Sequence, residues 1–514
     1  MEIPFWAKEQ LRLRQTFNDW ITKEIDKYQE QGFQKLFGSK GGHAMDEAGG
    51  YTRSFVGAYC LSGDERIPVF MKQFRDDWKT ALDKSGHFYH GYDSNESGDY
   101  ITHTAEAFSQ FLLNVLYLDI SDEKTIQMVD DGAEHLGNWC PDIQDWYDWD
   151  RHIFLSYFLG TKSPYHKPPY DFQTPRHFRV LQIALAAYEA NGNERYMDLC
   201  KDYCDFWAKW ILDAPSDEDT PTHFYMISKE QFKQFTQLEP YKDDWRFKNY
   251  YANYPDNHAS GQDCVPSHKI KDLNPPYHVL NDVVMTWLEI LKYAPQETYK
   301  EALRRLMSGW IKLGTDLPSQ IAGFEPHCGV HLPKYRDFTG DTSLDREYLS
   351  QWSDGSASYL LTGNEDCLIG VASAADAILK QAIQRNVPDS KMGTDHACSH
   401  YSNAGTTSAY VAPALFMPVF GGLNVHYGRA PWVNVLYYTG GKIGLPEDMA
   451  VLYIPSVDGH SGVKFFNAGT KQSKINVQLI NPAKGENLKL LQPPKPENLI
   501  DIVVEPGSLG QIIF

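Results

Sequence analysis

One local pattern recurs from the start of the chain to about residue 410 and constrains its fold more than any other feature. An apolar helix rich in small residues ends at Gly or Asn, an acidic or amide residue follows, and an amphipathic helix begins. It is seen in Phe55-Val-Gly-Ala-Tyr-Cys-Leu-Ser-Gly-Asp-Glu65, in Leu181-Gln-Ile-Ala-Leu-Ala-Ala-Tyr-Glu-Ala-Asn-Gly-Asn-Glu194 and in Tyr359-Leu-Leu-Thr-Gly-Asn-Glu365. Looser copies are Leu116-Tyr-Leu-Asp-Ile-Ser-Asp-Glu123 and Leu291-Lys-Tyr-Ala-Pro-Gln-Glu297. Gly after a helix and Asp or Asn opening the next are stop and start signals. The first helix of each pair is apolar nearly all round and must be buried; the second, as in Tyr196-Met-Asp-Leu-Cys-Lys-Asp-Tyr-Cys-Asp-Phe-Trp-Ala-Lys-Trp, keeps a polar face for solvent. Repeated pairs of this kind predict an inner ring of helices inside an outer ring, an α/α toroid over residues 1–412 whose long loops gather at one mouth.

Past residue 413 the period changes. Pro413, Pro418 and Gly421-Gly422 interrupt helices, and β-branched runs follow in Leu423-Asn-Val-His-Tyr, Val433-Asn-Val-Leu-Tyr-Tyr, Ala450-Val-Leu-Tyr-Ile, Lys474-Ile-Asn-Val-Gln-Leu-Ile and Ile500-Asp-Ile-Val-Val. The close, Glu505-Pro-Gly-Ser-Leu-Gly-Gln-Ile-Ile-Phe, is one more turn and strand. Residues 413–514 therefore read as a small C-terminal antiparallel β-sandwich.

Charge excludes one class of partner. Lys and Arg total 48 against 67 Asp and Glu, a net charge of −19, which is unsuited to a phosphate backbone, so no nucleic acid is expected. No apolar run reaches the roughly 18 residues of a membrane span. The opening Met-Glu-Ile-Pro-Phe-Trp-Ala-Lys lacks the apolar core of a signal peptide, leaving a cytoplasmic chain and a secreted one without its signal both open. The 8 cysteines show no paired spacing; Cys200 and Cys204, four apart on a helix, are expected to face a core.

Aromatic residues make up 14% of the chain, and many lie in polar loops: Trp146-Tyr147-Asp148-Trp149-Asp150 and Lys248-Asn-Tyr-Tyr-Ala-Asn-Tyr254. Flat faces beside hydrogen-bonding groups suit sugars, so the expected partner is an oligo- or polysaccharide. Five polar segments stand where loops meet helices. In His90-Gly-Tyr-Asp-Ser-Asn-Glu-Ser-Gly-Asp-Tyr100-Ile-Thr-His103 a loop is expected to feed a helix presenting Tyr100 and His103 on one face. Trp149-Asp-Arg151-His152 and Thr174-Pro-Arg176-His177 are each expected to lead into an apolar helix, whose N-terminus and Arg favour an anion. A fourth segment runs from Tyr254 through Asn257 and His258, followed by His278 and Asn281 opening a helix. The fifth, Asp395-His396-Ala-Cys-Ser-His400-Tyr401, is the densest. His396 and His400, four apart, match a divalent-metal pair if helical, yet no complete metal motif accompanies them. Asp354 completes the rim, as a helix cap or a catalytic carboxylate. No phosphate loop, dinucleotide fingerprint or nucleophile elbow occurs.

Helix pairs followed by a C-terminal β-rich segment resemble carbohydrate-active enzymes with an (α/α)6-type barrel. With loops rich in His, Tyr, Asn and Arg, the chain is similar to polysaccharide lyases acting on uronic acids, among them rhamnose–glucuronate lyases. The resemblance implies β-elimination, with a base and an acid drawn from Tyr and His and a cationic group neutralising the uronate carboxylate. On that basis Tyr100, His103, Arg151, His177, His258, His400 and Tyr401 are candidate catalytic residues. Trp146, Trp149, Arg176, Tyr254, Asn257, His278, Asn281 and Asp354 are candidate substrate contacts. The alternative is a glycoside hydrolase on the same scaffold, using two of Asp93, Glu96, Asp150, Asp256, Asp354 and Asp395.

Overall fold

The structure, a computed structural model, describes residues 2–37, 51–52, 54–85, 99–100, 111–155, 158–159, 172–173, 177–225, 265–269, 283, 285–316, 356, 359, 363–384, 414–421, 433–455, 460–480 and 496–514. Their structure is mainly helical, with antiparallel sheets at the C-terminal end. No helix among the described residues is long and apolar enough to cross a membrane. The chain divides into two compact units, one of Met1–Ala81, Ser109–Asp122 and Leu317–Phe514, the other of Leu82–Phe108 and Glu123–Asp316.

The helix-pair junctions form as their sequences predict. Helix α2 (Phe55–Ser62) ends at Gly63 in the left-handed conformation and is followed by α3 (Arg66–Ser85). Helices α4 (Leu113–Leu118) and α5 (Glu123–Ala133) follow one another across Asp119. Helix α6 (His177–Asn191) gives way at left-handed Gly192 to Asn193, whose side chain accepts the Arg195 N–H and so caps α7 (Glu194–Leu212). Helix α8 (Met285–Tyr293) precedes α9 (Glu297–Asp316), and Gly363-Asn364 leads through a short 3-10 turn to α10 (Val371–Gln384). The first helices are buried on every side: in α6 every residue from His177 to Ala187 is buried, whereas α7 alternates buried and exposed positions.

In the first unit, α1 (Phe5–Phe37) buries a stripe containing Leu13, Phe17, Trp20, Ile21, Ile25 and Tyr28, at helical spacing. It packs on α10, where Thr16 donates to Asp376 at 2.6 Å. It also meets the C-terminal strands. Strands β8 (Val435–Thr439), β9 (Lys442–Ile443), β12 (Ser473–Leu479) and β13 (Leu499–Val504) form one antiparallel sheet in the order β13-β12-β8-β9. Strands β10 (Met449–Ile454), β11 (Gly462–Asn467) and β14 (Leu509–Ile513) form another in the order β10-β11-β14. The Gln10 carboxamide donates to Val451 O at 2.6 Å and accepts from Val451 N at 2.9 Å, filling the place of a further strand along β10. Beside it the buried Arg14 guanidinium donates to the carbonyls of Leu61, Leu445, Pro446 and Met449. Burial lowers its pKa to about 10 against the opposing pull of Glu447 and Asp448, so it stays charged at neutral pH. The segment 414–420 is helical and Leu423–Tyr427 lies outside the described residues; strand β11 was not among the runs singled out in the sequence.

In the second unit, α6 and α7 pack against each other and are flanked by α5, α8 and α9. Rings of Phe178, Tyr203, Trp207, Trp287 and Tyr299 interlock there, with Phe178 stacked on Trp287 at 5.7 Å. Cys200 and Cys204 are free thiols buried in this core, in keeping with their spacing. Arg305 closes the end of α7 by donating to the carbonyls of Ile211, Leu212 and Ala214 and pairing with Asp217. Short strands complete the unit: β1 (Asp99–Tyr100) with β4 (Phe158–Leu159), β2 (Tyr147–Asp148) with β3 (Ile153–Phe154), and β5 (Phe172–Gln173) with β6 (Pro221–Tyr225) and β7 (Val265–Lys269). Asp99–Tyr100 thus pairs as a strand, Tyr100 opposite Phe158, and is not the helix opening expected from the sequence.

Two predictions follow from this packing. Gly63 and Gly192 share the left-handed conformation, but a Cβ on Gly63 would lie 2.3 Å from Ile443 O, while one on Gly192 meets nothing within 4 Å. Gly192→Ala should therefore cost about 1 kcal/mol and Gly63→Ala clearly more, read by chemical denaturation. Arg14→Met should cost about 2 to 3 kcal/mol, because it removes the guanidinium bonds to four carbonyls, of which only Leu61 O and Pro446 O keep the backbone N–H groups of Leu445 and Met449 found elsewhere in the fold.

Candidate functional site

In the second unit, the turn between β2 and β3 brings an exposed indole, guanidinium and imidazole together in fixed polar geometry. The sequence predicts a helix after Trp149-Asp-Arg151-His152; the structure instead folds these residues into the loop of a hairpin, with Tyr147 opposite Phe154 and Asp148 opposite Ile153. The local reason is Asp148, whose Oδ1 accepts the backbone N–H of Asp150 at 3.0 Å and of Arg151 at 2.9 Å. His152 then reverses the chain at φ 61, a conformation more usual for Gly or Asn.

Interior contacts hold the hairpin in place. Asn138, itself at φ 65, accepts the N–H groups of Trp146 and Tyr147 and donates to Tyr147 O at 2.7 Å. Buried Gln173 accepts from Phe154 N at 3.1 Å and donates to Phe154 O at 2.6 Å, and its Oε1 also takes the Tyr203 hydroxyl hydrogen. The Tyr147 hydroxyl donates to Asp202 on α7 at 2.7 Å, and the other oxygen of that carboxylate lies 2.8 Å from His152 Nδ1. A tyrosine, a carboxylate and an imidazole thus form a chain from the interior to the surface, with the His152 side chain 49% exposed.

The sequence candidates within the described residues occupy different surroundings. Trp149 is 36% exposed; its Nε1 donates to Gly137 O at 3.2 Å and its ring packs on Tyr147 and Trp139. Arg151 is exposed, with Nε on Asp148 Oδ2 at 2.6 Å. Trp146, expected as a ligand contact, is fully buried against His135, its backbone N–H held by Asn138 just before β2; it serves the core. His177 is fully buried at the first residue of α6, stacked on Phe154. Tyr100 is placed by its backbone alone. His103, Arg176, His258, His400, Tyr401, Tyr254, Asn257, His278, Asn281 and Asp354 lie outside the described residues, as do His396 and Thr174. The Tyr147–Asp202–His152 chain was not legible in the sequence, since Asp202 is 50 residues from His152.

Electrostatics sort the groups further. Burial, with the Asp202 carboxylate beside it, pushes the Tyr147 phenol far above its ordinary value, so Tyr147 is a fixed donor and not a base. Tyr51, Tyr196, Tyr299 and Tyr437 are likewise pushed up, mainly by burial. For Asp148 burial opposes the charge, but the backbone N–H and guanidinium of Arg151 outweigh it and hold the carboxyl below the usual range. Among the described residues no cluster of three or more His, Cys, Asp or Glu side chains forms a metal site.

No family model matches this chain, and no curated protein does. Among solved structures, it is similar to an unsaturated glucuronyl hydrolase variant with dGlcA-Glc-Rha-Glc, at 12% identity over 73% of this chain and 84% of that one, TM-score 0.40. It is also similar to an inactive variant of the α-1,6-mannanase GH76A of Salegentibacter sp. HEL1_6 in complex with α-1,6-mannotriose, at 11% identity over 80% of this chain and 99% of that one, TM-score 0.40. At these values neither likeness carries a functional argument.

The Asp148 turn has a pH signature. Because its native pKa is depressed, the stability it contributes is present above about pH 4 and is lost as pH falls through the native value. The effect is at most about 1 kcal/mol at so exposed a pair. The Asp148→Asn variant should lose this stability at neutral pH and show a flatter acid limb in thermal melts.

Proposed function

We propose that this chain is a carbohydrate-active enzyme that cleaves a uronic-acid linkage, glucuronate in type, by β-elimination. The observation that carries the carbohydrate part of the reading is the Trp149 turn: an indole held with its ring partly in solvent, beside a tethered Arg151 and a tethered His152. Aromatic face, forked donor and imidazole together suit a sugar better than a nucleotide, a peptide or a lipid. The paired helices with buried first members support an (α/α)6-type toroid carrying long polar loops, with the two C-terminal sheets making a β-sandwich.

In this reading the proton beside the uronate carboxylate passes to a base, the bond to the neighbouring glycosidic oxygen breaks, and a carbon–carbon double bond forms in the uronate. The leaving oxygen takes a proton from an acid. Arg176 neutralises the carboxylate so that the carbanion-like state is bearable. Base and acid are drawn from Tyr100, His103, His177, His258, His400 and Tyr401. The raised phenols of Tyr147, Tyr196 and Tyr299 suit them to structural hydrogen bonds, which directs the choice of base away from them. Hydrolysis would instead require two carboxyl groups, one of them held up in the range of a general acid.

Incubation with uronate-containing polysaccharides and plant exudate gums, followed by ultraviolet absorbance with and without chelator, tests this. Elimination should give an absorbing, unsaturated product, and either Tyr100→Phe or Tyr401→Phe should abolish turnover while leaving binding. Reducing sugar released without that absorbance would mean hydrolysis by two of Asp93, Glu96, Asp150, Asp256, Asp354 and Asp395. Loss of activity with chelator would point to a required divalent metal, for which His396 and His400 are the candidate pair.

A further inference from the structure

Three side chains of the β2–β3 turn are each fastened by one atom while another is left unused. Trp149 commits Nε1 to Gly137 O at 3.2 Å and rests on Tyr147 and Trp139, with ring centroids 5.0 and 6.2 Å away, yet keeps 36% of its surface exposed. Arg151 commits Nε to Asp148 at 2.6 Å, and among the described residues nothing takes its two Nη groups. His152 commits Nδ1 to Asp202 at 2.8 Å, leaving Nε2 on a half-exposed ring. Holding side chains in place before a ligand arrives removes the entropic cost of ordering them on binding.

The backbone adds a second, independent sign. His152 sits at φ 61, where Gly would be unstrained and an L side chain is disfavoured by about 1 kcal/mol. The imidazole occupies a position where a glycine would make the less strained turn.

A flat apolar face edged by a forked donor and an imidazole matches a pyranose, whose C–H face stacks on the indole while its hydroxyls reach the rim. Charge then selects among sugars. Asp142, Asp145, Asp148 and Asp150 occupy the same stretch, Asp202 lies behind His152, and Arg151 is the one permanent cation of residues 142–152. Arg151 already spends Nε on Asp148, Asp202 holds His152, and Arg195 over the Trp139 ring pairs with Glu134, so an added carboxylate gains little net attraction there, whereas hydroxyls can give hydrogens to Asp150 and accept them from Arg151.

We infer that the Trp149–His152 turn is a subsite that holds a neutral pyranose unit of the polymer, leaving the uronate to be recognised elsewhere. The inference rests on the carbohydrate reading above but not on elimination as its chemistry. Affinity electrophoresis of the full chain through gels containing soluble galactan, mannan or β-glucan, with polygalacturonate as the acidic comparison, tests it directly. At least one neutral polymer should retard the protein. Trp149→Ala should weaken that retention by roughly tenfold or more, and Arg151→Gln and His152→Gly by smaller factors. His152→Gly relaxes the turn, so its melting temperature separates lost contacts from lost fold. Equal retention of the wild type and Trp149→Ala, retention by polygalacturonate alone, or no retention by any neutral polymer would overturn the subsite. Ultraviolet-absorbing product, assayed on the same proteins, reports the elimination reading independently: either one can fail while the other stands.

Discussion

A helix that is apolar on every side has no face to offer water, and this requirement organises both units of the molecule. The stretch His177–Ala187 is buried throughout, so it must be covered all round. The chain meets part of that need by turning back at Gly192 and laying α7 against it, polar side outward. The same left-handed turn recurs at Gly63, where Phe55 of α2 stacks on Phe70 of α3. Local backbone chemistry and the demand for burial agree at each junction, so the pairs form where the sequence punctuates them.

Side chains that imitate backbone join distant segments. Gln10 satisfies both polar groups of Val451 across 441 residues, and Gln173 does the same for Phe154. Arg14 gathers carbonyls from two stretches of chain into one buried knot. Each device lets an irregular or edge backbone enter the interior without losing its hydrogen bonds.

The β2–β3 turn uses that rigidity at the surface. Because Tyr147, Asn138 and Gln173 hold the hairpin from within, Trp149, Arg151 and His152 are presented in fixed positions and not on a loose loop. Fastening each through a single atom keeps its other side for chemistry. Tyr147 and Asp202 thus act by positioning His152, and the raised phenol of Tyr147 keeps the donor direction fixed.

By itself the sequence determined the helix-pair rhythm, the capped junctions, the burial of Cys200 and Cys204 and the change to strands near the C-terminus, because each follows from local periodicity or from a Gly, Asn or Asp at a chain end. It also marked Trp149 and Arg151, whose aromatic and cationic chemistry stands out in a polar loop. It misjudged the Trp149–His152 segment as a helix entrance and Trp146 as a ligand contact. Composition does not reveal that Asp148 folds a turn or that tertiary packing buries Trp146 and leaves Trp149 part-exposed. Only the tertiary structure decided that Asp202 stands behind His152, that Gln10 borders β10, and that Asp99–Tyr100 pairs as a strand with Phe158–Leu159. Those contacts join residues far apart in the chain, and they exist because burial forces remote segments together, not because neighbouring residues prefer them.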